Sequence, residues 1–377
     1  MNPSMLIAPS SPIGLPAPFW FLILFKLIGF TLHMTMMHLW YAGPVLGLIL
    51  WTRGGNHQIF VKRLMAQMPI IIALGINFGI VPLLFIQVAY HKAFYPSTIL
   101  MAWPWMSVIL LLTFAYYGSY IYATALKADT VRLTPLSRIA GWVSAVFFLI
   151  IGFIFANEFS LMTNLDAWSR IWSAGHVDGA VPGLALNISD PTFWPRWLLM
   201  FGMALMTVSA YIAIDCGFLG RKMDADYRKW ATGFAYKPYL VGLAWYGVAA
   251  AWYMFGAWPN DLRTLIFAGS WLPLTILTAI APVAVAAILT AASRKETVSP
   301  RLAFVVGMTQ LLVLAFNAVN RQVVQNAELG RYFDVTAEQV KTQWSPMILF
   351  LVLFVIGVGI IIWMLRQLTV SKQEQAA

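Results

Sequence analysis

The sequence predicts an all-α, polytopic membrane protein, and three observations predict it. Hydrophobic residues make up 60% of the 377 residues and charged residues only 10%, with a mean hydropathy of +0.76. That balance leaves too little polar surface for an ordinary water-soluble domain. Apolar windows of about 20 residues, long enough to cross roughly 30 Å of hydrocarbon, recur along the chain. The charges collect between these windows, and alternate connections are strongly basic.

Nine windows are expected, at about 18–51, 66–90, 98–126, 137–163, 193–219, 236–258, 262–293, 301–326 and 345–367. Each has to be a helix, because backbone polar groups in lipid must pair within their own segment. The first window exceeds one straight crossing, so its start, SPIGLPAPFW, is expected to lie along the interface. No basic region precedes the first apolar run, whose first charge is Lys26, so no cleavable signal is expected.

Basic residues favour the cytoplasmic side of short connections. Arg53, Lys62 and Arg63 follow the first helix, and Lys127, Arg132 and Arg138 the third. Arg221, Lys222, Arg228, Lys229 and Lys237 follow the fifth, and Arg294, Lys295 and Arg301 the seventh. The other connections carry acids: Asp166, Asp178 and Asp190 in one, Glu328, Asp334 and Glu338 in another. The N-terminus is therefore expected outside and the C-terminus in the cytoplasm, within a bacterial inner membrane. The net charge of +10 is accounted for by this basic face meeting anionic headgroups, with lipid and not nucleic acid as its partner. One cysteine, Cys216, excludes an intrachain disulfide. Nothing divides the chain, and residues 1–377 read as one integral membrane domain.

Ionisable groups inside the membrane are costly and mark candidate sites. They are few: Lys26, His33 and His38 in the first helix, Glu158 in the fourth, Asp215 in the fifth and Arg321 in the eighth. Such scarcity argues against a proton pump or an ion-coupled transporter, and no catalytic constellation, phosphate loop or zinc spacing is present. His33 and His38 lie in LHMTMMHLWYAGPVLG, five residues and about 140° apart around the helix. They cannot serve one metal from the same face. Either one is a haem ligand, since neutral imidazole binds haem iron and methionine can supply the other axial position, or both only bond neighbouring helices while the methionines fill gaps. Glu158 is placed to compensate Arg321. The connection from Asp166 to Phe193, with Trp168, Trp172, Trp194 and His176, reads as interfacial aromatics or as a cap for the outer face. His57 and His91, at helix ends, are expected to be solvated.

The order of short motifs resembles cytochrome bd quinol oxidase subunit I, a nine-helix family. Its first helix reads approximately H-F-L-F-V-P-L-T-L-G, where this chain has HLWYAGPVLG from His38. Its second carries G-I-N-F, matched by Gly75, Ile76, Asn77 and Phe78. Its fourth carries A-N and then an aromatic, matched by Ala156, Asn157 and Phe159; its eighth ends in G-R-Q-P-W, echoed by Asn320, Arg321 and Gln322. The resemblance runs from about residue 24 to 366. It implies that His38 stands where the family has an axial haem histidine, that Lys26 lies near the place of a basic residue meeting haem propionates, and that Arg321 is the eighth-helix arginine.

Other family ligands are missing. No histidine stands around Trp197–Met200, and no methionine between Ser270 and Ala284; the acidic haem ligand falls near Ala318 and the buried glutamate near Leu112. The quinol-binding connection has shrunk to a few residues around Trp258–Asp261. The resemblance thus implies a subunit I-like member of a respiratory electron-transfer complex, a non-catalytic or partial oxidoreductase subunit with one haem b at His38 or none. Its expected partner is a haem-bearing bd-like subunit or a membrane-attached cytochrome. Two alternatives stay open: an independent haem-dependent quinol or oxygen redox subunit using ligands such as Met37 or Met203, and a transporter unrelated to the family.

Overall fold

The computed structural model describes residues 5–127 and 133–374, and side chains to 360 and at Trp363; Arg132 lies outside the described residues. The elements are helices α1 (Phe19–Trp51), α2 (Gly55–Ala89), α3 (His91–Leu100), α4 (Ala102–Lys127), α5 (Pro135–Thr163), α6 (Asp166–Gly175), α7 (Phe193–Ile214), α8 (Ala225–Phe234), α9 (Tyr236–Ala251), α10 (Asn260–Phe267), α11 (Leu272–Ala292), α12 (Pro300–Leu329) and α13 (Trp344–Glu374). Widened π turns extend α7 through Asp215–Leu219 and α9 through Trp252–Ala257. Among the described residues there is no strand, only two isolated bridges.

The all-helical expectation is met. Among the described residues, eight helices are long and apolar enough to cross a membrane. The ninth predicted window, 345–367, is helical as well and lies within α13. Boundaries moved where local chemistry intervened. The third window breaks at Met101 into α3 and α4, and the seventh breaks at 268–271 into α10 and α11. The start SPIGLPAPFW is not a free interfacial segment: Leu15 N–H donates to Gln339 O, Lys341 N–H to Leu15 O and Gln343 N–H to Pro16 O, so it pairs with the connection before α13. Leu15 and Ala17 are buried there.

Helix α1 is central, packing along α2, α5, α7 and α12. The largest core lies around it, built from Met37, Trp40, Tyr41, Leu64, Met68, Phe148, Met203 and Met206 among others. A second core at the Lys26 end joins Leu22, Tyr90, Phe94, Phe159, Met162 and Trp168. Helix α13 lies on α1 and α2 through Phe350, whose ring meets Phe21, Phe25 and Phe85.

The crossing of α7 on α9 brings two backbones together because both helices carry glycine there. A Cβ at Gly202 would stand 2.7 Å from the Tyr246 nitrogen, and one at Gly242 would stand 2.8 Å from the Gly202 oxygen. Small residues drive such association in lipid, where no hydrophobic force separates helix from solvent. Gly202→Ala is expected to force these helices apart and cost about 1–3 kcal/mol, read as a lower Tm of the detergent-purified chain; an unchanged Tm would show that the crossing can open freely.

Candidate functional site

Two polar clusters lie inside the helical bundle, both anchored on α1. The first surrounds His38, which is fully buried. Its Nδ1 lies 3.0 Å from Thr207 Oγ1 on α7. That hydroxyl donates its one hydrogen to Met203 O, 3.0 Å away, and accepts from Gln310 Nε2 at 3.1 Å. Gln310 Oε1 in turn accepts from the Tyr239 hydroxyl at 3.1 Å. Because the threonine hydrogen is committed to Met203, His38 has to donate through Nδ1–H, which leaves the lone pair on Nε2. Nε2 is buried and has no hydrogen-bond partner. The arrangement therefore presents an oriented, neutral imidazole with its Nε2 free, the state that a hydrogen bond to the other ring nitrogen fixes in ligating histidines.

His33 takes the other direction. Its Nδ1 lies 2.8 Å from Gly75 O on α2, and its ring fills the space beside Gly79. The two histidines thus serve different neighbours, as their angular separation requires, and His33 is interhelical packing. The Trp40 ring, stacked on Phe148, occupies the place a Cβ at Gly75 would take.

The second cluster, at the opposite end of α1 from Trp51, holds Lys26 and Arg321. Lys26 is 4% exposed, and its Nζ donates to Gln322 Oε1 at 2.7 Å and Gln325 Oε1 at 2.9 Å. Gln322 Nε2 donates to the Tyr90 hydroxyl at 2.6 Å, which donates to Asn326 Oδ1 at 2.5 Å. Arg321 has no hydrogen-bond or ion-pair partner among the described residues; its guanidinium is held between Phe30, 4.6 Å away, and Phe159, 4.1 Å away. Glu158 is electrostatically coupled to Arg321 and Lys26 but bonds Ser97, at 3.0 Å. The compensation expected between Glu158 and Arg321 is thus felt through space, without an ion pair. The pair that does form is Arg196 with Glu328, 3.3 Å, with Tyr253 also accepting from Arg196 at 3.0 Å.

His38 and the Arg321 cluster are related along α1: Phe30 precedes His38 by eight residues, about 12 Å, and Lys26 by twelve, about 18 Å. Thr207, Gln310 and Tyr239 are polar residues in apolar helices that the sequence reading passed over, as it passed over Arg196. Their signal was present, since uncharged polar residues in membrane helices also seek partners, but nothing in the sequence pairs them.

Elsewhere, Asp215 at the far end accepts from Arg63 through both oxygens at 2.7 Å. His57, half-buried, packs edge-on against Trp230 and Phe234. The His91 Nε2 is buried without a partner. Trp168 is core rather than interfacial, donating to Leu161 O at 2.7 Å, while His176 stacks on Trp172 at the surface. Among the described residues no group of three or more His, Cys, Asp or Glu side chains is placed to hold a metal ion.

The connection before α7 is organised by Asp190, which accepts from Ser160 (2.7 Å), Asn164, Asn187 and both the N–H and hydroxyl of Thr192. Burial pushes its carboxyl up, but bonds from Ser160 and Thr192 and the charge of Arg196 outweigh that and hold it below the ordinary carboxylate range. A depressed native value stabilises above the unfolded value of about 3.9, and the contribution is lost as pH falls through the lower native one. Hydrogen exchange in 176–192 is therefore expected to rise below about pH 4. Asp190→Asn should abolish that dependence and weaken the connection by about 1–3 kcal/mol at neutral pH; exchange that ignores both changes would refute the assignment.

No protein-family model matches the chain, and no curated protein matches it. Among solved structures, the bd oxidase from Geobacillus thermodenitrificans has a similar fold, with a TM-score of 0.63 at 11% sequence identity, over 92% of this chain and 98% of that one.

Proposed function

We propose that this chain is a bd-like membrane subunit of a respiratory electron-transfer complex, holding one haem b at His38 and otherwise acting as a scaffold. The observation that carries the haem site is the unpartnered, buried Nε2 of a histidine whose other nitrogen is already fixed by Thr207. The fold likeness to a bd oxidase over nearly the whole chain supports the wider reading. A haem there would supply reversible one-electron transfer. His38 would bind it, and Thr207, Gln310 and Tyr239 would hold the imidazole in the coordinating tautomer. Arg321, with its donors uncommitted, is the better candidate counter-charge for acidic haem groups; Lys26, already bonded to two glutamines, tunes the field around it.

The scaffold role rests on what fills the places of the other family ligands. Around Trp197–Met200, Trp197 packs edge-on to Phe153 and Trp194, and the Met200 methyl stands where a Cβ on Gly152 would fall. Ala318 is buried in the core. Electron entry and exit then belong to a haem-bearing partner subunit or a membrane-attached cytochrome. The orientation that fits is N-terminus outside and C-terminus in the cytoplasm of a bacterial inner membrane. Arg63, Gly220, Arg228 and Thr297, from three basic connections, share one end of the bundle.

The purified chain is expected to carry one haem in its reduced-minus-oxidised spectrum, and His38→Ala to abolish it while the chain still elutes as a folded species. Thr207→Val is expected to lower haem retention about 10-fold. A spectrum per chain unchanged in His38→Ala would remove the haem assignment. Three haem signals, or oxygen consumption by the isolated chain, would remove the scaffold.

A further inference from the structure

Where α4 ends and α5 begins, a groove of about 430 Å³ opens between them, lined by Tyr120, Ile121, Thr124, Thr134, Leu136 and Ser137 among others. It lies at the Trp51 end of α1, because Gly141, one turn along α5 from Ser137, packs on Leu48. Exposed side chains at helical spacing lead up to it on both walls: Phe114, Tyr117 and Ile121 on α4, and Trp142, Ile139 and Leu136 on α5. In a membrane these stripes face acyl chains.

The other edge of the groove is polar. Ser137 and Thr134 serve each other, the Ser137 N–H donating to Thr134 Oγ1 at 3.2 Å and its hydroxyl to Thr134 O at 2.9 Å. Thr113, earlier on α4, returns its hydroxyl hydrogen to Ile109 O at 2.8 Å, whereas the Thr124 hydroxyl has no hydrogen-bond partner among the described residues. Two cations stand beside it. Lys127 follows Thr124 by three residues, a spacing that makes them neighbours on the helix surface. Arg138 follows Ser137, and its charge is felt across the helix pair at Tyr122 on α4. Both are exposed, and neither has an ion-pair partner among the described residues, whereas Arg63 takes Asp215 and Lys229 takes Glu296.

Apolar walls and unpaired cations side by side fit an amphiphile. A soluble anion would leave the walls unused, and a neutral lipid would leave the cations unused. Charge complementarity therefore selects the occupant. We propose that this groove binds an anionic phospholipid, with an acyl chain between Ile121 and Leu136 and its phosphate taken by Lys127, Arg138 and Thr124. The site is independent of the haem assignment at His38, which faces α7.

Native mass spectrometry of the full-length chain in detergent, titrated with phosphatidylglycerol or phosphatidylcholine, tests it. Phosphatidylglycerol is expected to bind about 30-fold more tightly, roughly fivefold for each cation. Lys127→Gln combined with Arg138→Gln should erase that preference, while Lys222→Gln combined with Lys295→Gln, at exposed positions outside the groove, should keep it. Thr124→Trp, which fills the groove and leaves the cations in place, should weaken both lipids. Equal binding of the two lipids, a Lys127/Arg138 double variant that keeps the preference, or displacement of the lipid by inorganic phosphate would overturn the proposal. So would a second copy or another polypeptide joined to Thr124→Cys by oxidation in native membranes.

Discussion

A polar atom in a bilayer has no water to turn to, and the architecture follows from how this chain meets that constraint along α1. Lys26 and His38 sit on the same helix, both almost fully buried, and both are served by side chains from α12, directly or through α7. Gln322 and Gln325 take the lysine; Gln310 and Thr207 complete the histidine chain. Removing a partner would leave a buried donor or acceptor unmet, which costs more than the bond itself contributes. These contacts tie the first helix to the eighth predicted one across almost 300 residues, and so they help to set the relative depth of α1, α7 and α12.

The two ends of the bundle are held differently. At the Arg63 end, a bidentate guanidinium–carboxylate pair joins α2 to the π-widened end of α7, and its geometry is the strong planar kind. The exposed Lys229–Glu296 pair there contributes little. At the Lys26 end, pairing is denser and shared among several helices. Arg196 binds Glu328 and Tyr253, Lys92 pairs with Glu338, and Asp190 gathers five donors. Arg321 is the exception within this dense region: two aromatic faces stabilise its cation without using any of its N–H groups.

A shared shape does not carry a shared set of ligands, because folds and functions separate. A helical scaffold depends on apolar packing and a few interhelical bonds, which sequences with 11% identity can supply in different ways. A haem site depends on one nitrogen in one tautomer. The proposed haem site therefore rests on His38 and its neighbours, and the fold supports only the wider reading. Around Trp197–Met200, rings and a methionine side chain fill the core, since interiors tolerate no large voids.

Composition and charge spacing were enough to determine that the chain is helical, membrane-embedded and cut into long apolar segments. Hydrocarbon imposes the same demand on every segment, so the signal is additive and local. The angular spacing of His33 and His38 also determined, without coordinates, that they serve different faces. Pairings were out of reach, because Thr207 is 169 residues from His38, and Glu328 is 132 from Arg196. Only tertiary packing decided that Glu158 bonds Ser97, that Trp168 is core, that His57 is packed, and that the N-terminal stretch pairs with the connection before α13. Local rules say which groups cannot stay alone in lipid; which partner each one takes depends on helices that meet only after the chain has folded.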